Sequence, residues 1–133
     1  MAQLDDRQQE IKDTFMRNRG YWADVWEEVL KLSPDFFEAS LKFSSVPWTT
    51  GTLEPKVREF VYIAIDAATT HLYEPGLRQH IRNALRYGAT KEELMEVLQL
   101  TSVLGMHTVS EGVPVLVEEA KASGKGGLGK RRG

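Results

Sequence analysis

The sequence predicts an all-α fold of about six to seven helices, and three observations carry that expectation. Every sustained apolar period in the 133 residues is helical. No window alternates apolar and polar residues between hairpin turns. Helix start signals also punctuate the chain, notably Ser33-Pro34-Asp35 and Thr90-Lys91-Glu92-Glu93.

Taken in order, Leu4 to Asn18 carries a sparse stripe of Leu4, Ile11 and Phe15 ending near Gly20, which reads as a helical arm in need of a partner surface. Tyr21 to Leu32 is strongly amphipathic through Trp22, Val25, Trp26, Val29 and Leu30. Ser33 then caps a helix that opens on Pro34 and runs to about Ser45, and 46–51 reads as a loop. A longer helix spans about Glu54 to Leu72, its apolar stripe being Val57, Phe60, Val61, Ala64 and Ala68, with His71 on the same line. Further helices cover Pro75 to Tyr87, Lys91 to about Leu104, and Met106 to Ala122, the last kinked or restarted around Gly112 and Pro114. The aromatic set Trp22, Trp26, Phe36 and Phe37 reads as core or subunit interface.

Composition bounds the possibilities. The length suits one domain, expected over 1–122, and a hydrophobic fraction of 41% with 27% charged residues is that of an ordinary soluble protein. No run of eighteen apolar residues is present and the N-terminus has no signal-peptide pattern, so the expectation is a cytoplasmic protein with no membrane partner. Residues 123–133 read as a flexible basic tail; their four basic residues against a formal net charge of −2 leave about −6 for 1–122, a surface poorly suited to nucleic acid. Cysteine is absent, which excludes disulfides, a cysteine-ligated zinc site and thiol catalysis together.

One stretch points to chemistry. After Pro75 and Gly76, residues Leu77, Ile81, Ala84 and Leu85 follow the spacing of a core-facing stripe, and His80 takes the remaining place on it. Gly88 ends that helix, and Thr90 with Glu93 forms a capping box for the next. The segments Arg58-Glu59-Phe60, His80-Ile81-Arg82-Asn83-Ala84-Leu85 and Gly88-Ala89-Thr90-Lys91-Glu92-Glu93 resemble the carboxymuconolactone decarboxylase family of the AhpD-like superfamily, over roughly Leu53 to Glu119. The resemblance implies an orthogonal helical bundle, no metal or organic cofactor, assembly into trimers or hexamers, and a place in aromatic-compound catabolism. Its peroxidase branch carries a Cys-x-x-Cys pair before the histidine. Tyr73 and Gly76 stand at those positions here, so peroxide reduction by a thiolate is excluded. Between Glu59 and His80 the chain is about two residues longer than the family pattern, and the longer segment contains His71.

From the resemblance, His80 and Glu59 are the expected catalytic residues, with His80 lining a pocket as proton donor or base and Glu59 orienting it. On its helix Glu59 lies off the apolar stripe, on the side shared with Tyr62, Ile63 and Asp66, which suggests a cleft or a neighbouring subunit. Candidates for substrate contact are His107, Tyr73 and His71, and Arg78 or Arg82 for a substrate carboxylate. His107 and Glu111 share one helix face at i, i+4.

Three readings follow. The first is a cofactor-free, decarboxylase-like enzyme using acid/base chemistry on a small anionic lactone or organic acid, as a homo-oligomer. The second is a non-catalytic accessory protein of the same fold, since a fold hosts more than one function. The third is a metal-dependent enzyme, because three histidines with Glu59 or Glu111 supply enough ligands, although no tight histidine spacing prepares the geometry.

Overall fold

A computed structural model of the chain describes residues 3–125. Over them the backbone forms α1 (Asp6–Arg19), α2 (Asp24–Leu32), α3 (Pro34–Thr49), α4 (Pro55–Ala67), α5 (Glu74–Arg86), α6 (Lys91–Ser102), a 3-10 turn (Val103–Met106) and α7 (His107–Ala122), with no strand among the described residues. Where one domain over 1–122 is expected, the backbone divides into two compact units, one ending at Leu53 and the other starting at Glu54. Of the expected tail, 123–125 forms the turn after α7, and the rest lies outside the described residues.

The first unit comprises α1, α2 and α3. Asp5 and Gln8 close a capping box at the start of α1, each side chain bonding the other's backbone N–H. The partner surface expected for this arm is supplied by α2 and α3. Ile11 and Phe15 are buried against Leu30 of α2 and Phe37 and Leu41 of α3. Tyr21 and Trp22 precede α2 instead of opening it, and both present their rings edge-on to Phe15, with centroids 5.6 and 5.3 Å away. Phe36, one residue from the buried Phe37, is exposed. The expected loop at 46–51 is mostly helix, because α3 continues through Pro47 to Thr49. A proline so near the C-terminus removes only one late hydrogen bond, and the hydroxyls of Thr49 and Thr50 both donate to the Val46 carbonyl.

The second unit is built on α4, which packs against both α5 and α6. Its core is Ile63, Ala84, Ala89 and Leu94, with Phe60, Leu77, Ile81, Val97 and Leu98 packed around it. Two corrections apply to α4. It stops at Ala67, short of Leu72, because Ala68 turns to extended geometry and the Asp66 carbonyl accepts from the Tyr73 N–H at 2.8 Å. Its most buried side is also one the apolar stripe does not mark: Glu59, Ile63 and Asp66 are buried, whereas of the stripe Phe60 packs on the core, Val57, Ala64 and Ala68 are half-buried and Val61 is exposed. Small residues supply the reason, since Ala84 and Ala89 let the neighbouring backbone close over that side. On α5, Leu85 of the expected stripe is likewise exposed and Asn83 is buried.

Gly88 adopts φ +88°, and the Ala89 N–H reaches back to the Ala84 carbonyl at 2.9 Å, a helix ending that favours glycine. The Thr90–Glu93 capping box forms as expected, with bonds of 3.0 and 2.9 Å. From there α6, the 3-10 turn and α7 make a run, Lys91–Ala122, long and apolar enough by length and composition to cross a membrane. The expected division of this run near Leu104 is present, as the 3-10 turn between α6 and α7. No residue of α7 is buried.

Candidate functional site

The polar residues buried in the second unit converge on one histidine. Three residues of α4 at i, i+3 and i+7, Glu59, Tyr62 and Asp66, share a face that α5 covers with His80 and Asn83. Glu59 is 1% exposed and His80 8%. His80 Nδ1 lies 2.6 Å from Glu59 Oε2, and Asn83 donates from Nδ2 to Glu59 Oε1 at 3.4 Å. Asn83 is itself held by Gln79 Nε2, which donates to Asn83 Oδ1 at 2.9 Å. A carboxylate this deep costs several kcal/mol unless paired, and here both of its oxygens have partners.

The imidazole is confined on further sides. The Tyr62 ring stacks on it, centroids 4.5 Å apart and planes 10° from parallel. Across the ring, His80 Nε2 faces Asp66 Oδ2 at 3.8 Å. Asp66 Oδ1 lies 3.3 Å from His71 Nε2, and the His71 ring is tilted against Tyr73 at 5.6 Å. The result is an ordered series, Glu59–His80–Asp66–His71, running from the interior to a half-exposed side chain. With a proton on Nδ1 bonded to Glu59, His80 turns Nε2 toward Asp66; that nitrogen is the one able to exchange a proton with a ligand.

Gly76 belongs to this geometry. A Cβ there would overlap Asp66 Oδ2 and come within 2.7 Å of the Tyr73 ring. At the place where the peroxidase branch carries a cysteine, this chain has a carboxylate occupying the space a side chain would need.

Among the expected site residues, Glu59, His80, His71 and Tyr73 are thus brought into one neighbourhood. The others are not. Arg78 pairs with Glu74 on the exposed side of α5, and Arg82 donates to Gln79 Oε1 at 3.2 Å, also exposed. His107 is the exposed first residue of α7 and, among the described residues, makes no hydrogen bond, ion pair or ring contact with the cluster. Glu111 is exposed as well. For the metal reading, no group of three or more His, Asp or Glu side chains among the described residues is arranged to hold an ion. Asp66 and Asn83 were missed as site residues. The signal for Asp66 is its place on the Glu59–Tyr62 side of α4, the side expected to face a cleft or a neighbouring subunit and covered instead by α5. In the first unit a cavity of about 450 Å³ lies along α1 and α3, lined by residues such as Ile11, Leu41, Ser45 and Thr49, without a histidine.

Residues 34–116 match the carboxymuconolactone decarboxylase family, a span that starts well before Leu53 and takes in α3. A solved structure from Burkholderia xenovorans LB400, described as a gamma-carboxymuconolactone decarboxylase subunit, is 57% identical with a TM-score of 0.86. The similarity covers 92% of this chain and 49% of that one, so this chain spans about half of its neighbour's length. Comparison with the curated proteins gives no match. With the all-helical fold, these likenesses place the chain in the carboxymuconolactone decarboxylase family.

Proposed function

We propose that this chain is a decarboxylase-like enzyme that uses acid/base chemistry on a small lactone or organic acid and requires no cofactor. The observation that carries the reading is the buried His80–Glu59 pair at 2.6 Å, an imidazole ordered by a carboxylate and shielded by the Tyr62 ring. When carbon dioxide leaves a carbon conjugated to a carbonyl, the bonding electrons pass into an enolate, and a proton must then reach carbon. His80 supplies that proton from Nε2, while Glu59 holds the ring through Nδ1 and balances its charge when both nitrogens are protonated. Because Arg78 and Arg82 lie on the outer side of α5, the group that binds a substrate carboxylate comes from elsewhere in the assembly.

The assembly is part of the proposal. Val109, Val113, Leu116 and Val117 of α7 are all exposed at helical spacing, and a contiguous apolar face of this kind marks an interaction surface. The Burkholderia neighbour is described as a subunit and carries about as much chain again as this one matches. A homo-oligomer, trimeric or hexameric, in which second copies cover α7 accounts for the exposure.

The test is carbon dioxide release from a panel of carboxylated γ-lactones and β-keto acids. Turnover by the wild type should fall by roughly 10²-fold or more in His80→Ala, the scale of losing a general acid/base, with the helical circular dichroism unchanged. Undiminished turnover in that variant would remove His80 from the chemistry. An assembled protein inert across the panel would favour the accessory-subunit reading.

A further inference from the structure

Decarboxylation of a carboxylate consumes a proton: R–COO⁻ and H⁺ give R–H and CO₂. A donor as buried as His80 must be recharged from solvent in every cycle, and the Glu59 side of its ring leads only inward. We infer that Asp66 and His71 form the proton entry path to His80, a role resting on the acid/base reading of the same site. In one passage His71 takes a proton from water and gives one from Nε2 to Asp66 Oδ1. Rotation of the carboxyl about its Cβ–Cγ bond then turns the protonated oxygen toward His80 Nε2, which takes that same proton, and the carboxyl returns to its ionised form. No net charge accumulates on Asp66.

Two independent features support the path. First, the groups are spaced for it. The 3.3 Å step from His71 to Asp66 is within hydrogen-bonding range, and the 3.8 Å step from Asp66 to His80 closes by a small rotation or one bridging water. Asp66 is 7% exposed whereas the His71 side chain is 51% exposed, so the series begins in solvent and ends in the core. Second, the connection between α4 and α5 is built to hold His71 inward. Leu72 sits at φ +47°, a left-handed conformation costly for a leucine. It is held there by the His71 and Leu72 N–H groups, both donating to the Ala68 carbonyl at 2.8 Å, and by the Tyr73 N–H donating to the Asp66 carbonyl. Other side chains facing the series include Tyr62 of α4, Tyr73 of the connection and Asn83 of α5; on the α6 side of α4, Lys56 pairs with Glu93.

Asp66 and His71 act through His80 and are positioning residues, so the decisive measurement does not require a substrate. In ¹⁵N-histidine-labelled full-length protein, exchange of the His80 ring protons with water is followed by saturation transfer. In His71→Ala the exchange should slow by about 10²-fold, the scale of removing a proton-transfer group, and millimolar imidazole should restore it. Asp66→Asn should slow exchange without rescue. Because that variant alters a buried position and its effect on folding would confound the result, the exposed His71 substitution decides the matter alone. Equal exchange rates in wild type and His71→Ala, or slowed exchange that imidazole does not restore, overturn the path. Absence of turnover on the lactone panel with the exchange effect intact would instead refute the decarboxylase reading and leave the path standing.

Discussion

Helices α4 and α7 both carry apolar residues at helical spacing, yet the chain treats them in opposite ways. In α4 the side that goes inside carries Glu59 and Asp66 around a single isoleucine, while Val61 and Ile65 face out. In α7 nothing goes inside, and its valines and leucine are left exposed. Apolar patterning states that a helix has a face to bury, but the partner decides which face and when. For α4 the partners are α5 and α6 of the same unit, and the polar groups they enclose make the site. For α7 the proposed partner is another copy of the chain.

The largest effect expected from this contrast is a stability difference between two isoleucines on one helix. Ile63 is fully buried and Ile65 is half exposed. In urea unfolding, Ile63→Ala should cost about 2–5 kcal/mol, the range for emptying a filled core position. Ile65→Ala should stay within about 1 kcal/mol, as expected of a surface position. A comparable loss at Ile65 would show that the outer side of α4 is also covered in the assembly.

The α7 side of the comparison can be broken directly. Leu116→Asp puts a charge on an apolar side chain that is 66% exposed in a lone chain, so a monomer would tolerate it. If second copies cover α7, the variant should lose mass by light scattering at micromolar concentration while its helical signal persists. An unchanged molar mass would place the subunit interface elsewhere.

The smallest effect concerns the start of α6. Glu93 is held below its usual 4.5, first by the Thr90 backbone N–H it accepts and then by the Lys56 ammonium 3.1 Å away. A carboxyl lowered on folding stabilises the native state fully above its unfolded value, and that contribution is lost as pH falls through the lowered native value. Glu93→Gln keeps the capping geometry but not the charge. Its melting temperature should therefore lie below wild type near neutrality and converge with it in acid. A gap of constant size across that range would show that the charge contributes nothing.

Much of the architecture was legible because it rests on local rules. Gly88 followed by the Thr90–Glu93 box gives the α5–α6 junction at the residue level, since a left-handed glycine and a reciprocal cap use only neighbours in sequence. The expected end of α3 failed for a related reason: Pro47 reads as a breaker, but a proline in a final turn costs one hydrogen bond and is tolerated. The length of α4 failed because its end is set by a bond between the Asp66 carbonyl and Tyr73, beyond the reach of periodicity.

By itself the sequence determined the all-helical class, the α5–α6 junction, the exclusion of thiol chemistry and the pairing of His80 with Glu59 through family likeness. Only the tertiary structure decided that Asp66, not an arginine, stands across from that histidine, that Gly76 is glycine to make room for it, and that His71 reaches the same carboxylate. The physical reason is the range over which each is specified. Caps and periods are written within a few residues, whereas the meeting of α4, α5 and their connection depends on Ala84 and Ala89 letting two backbones close over a polar face that hydrophobicity alone would leave outside.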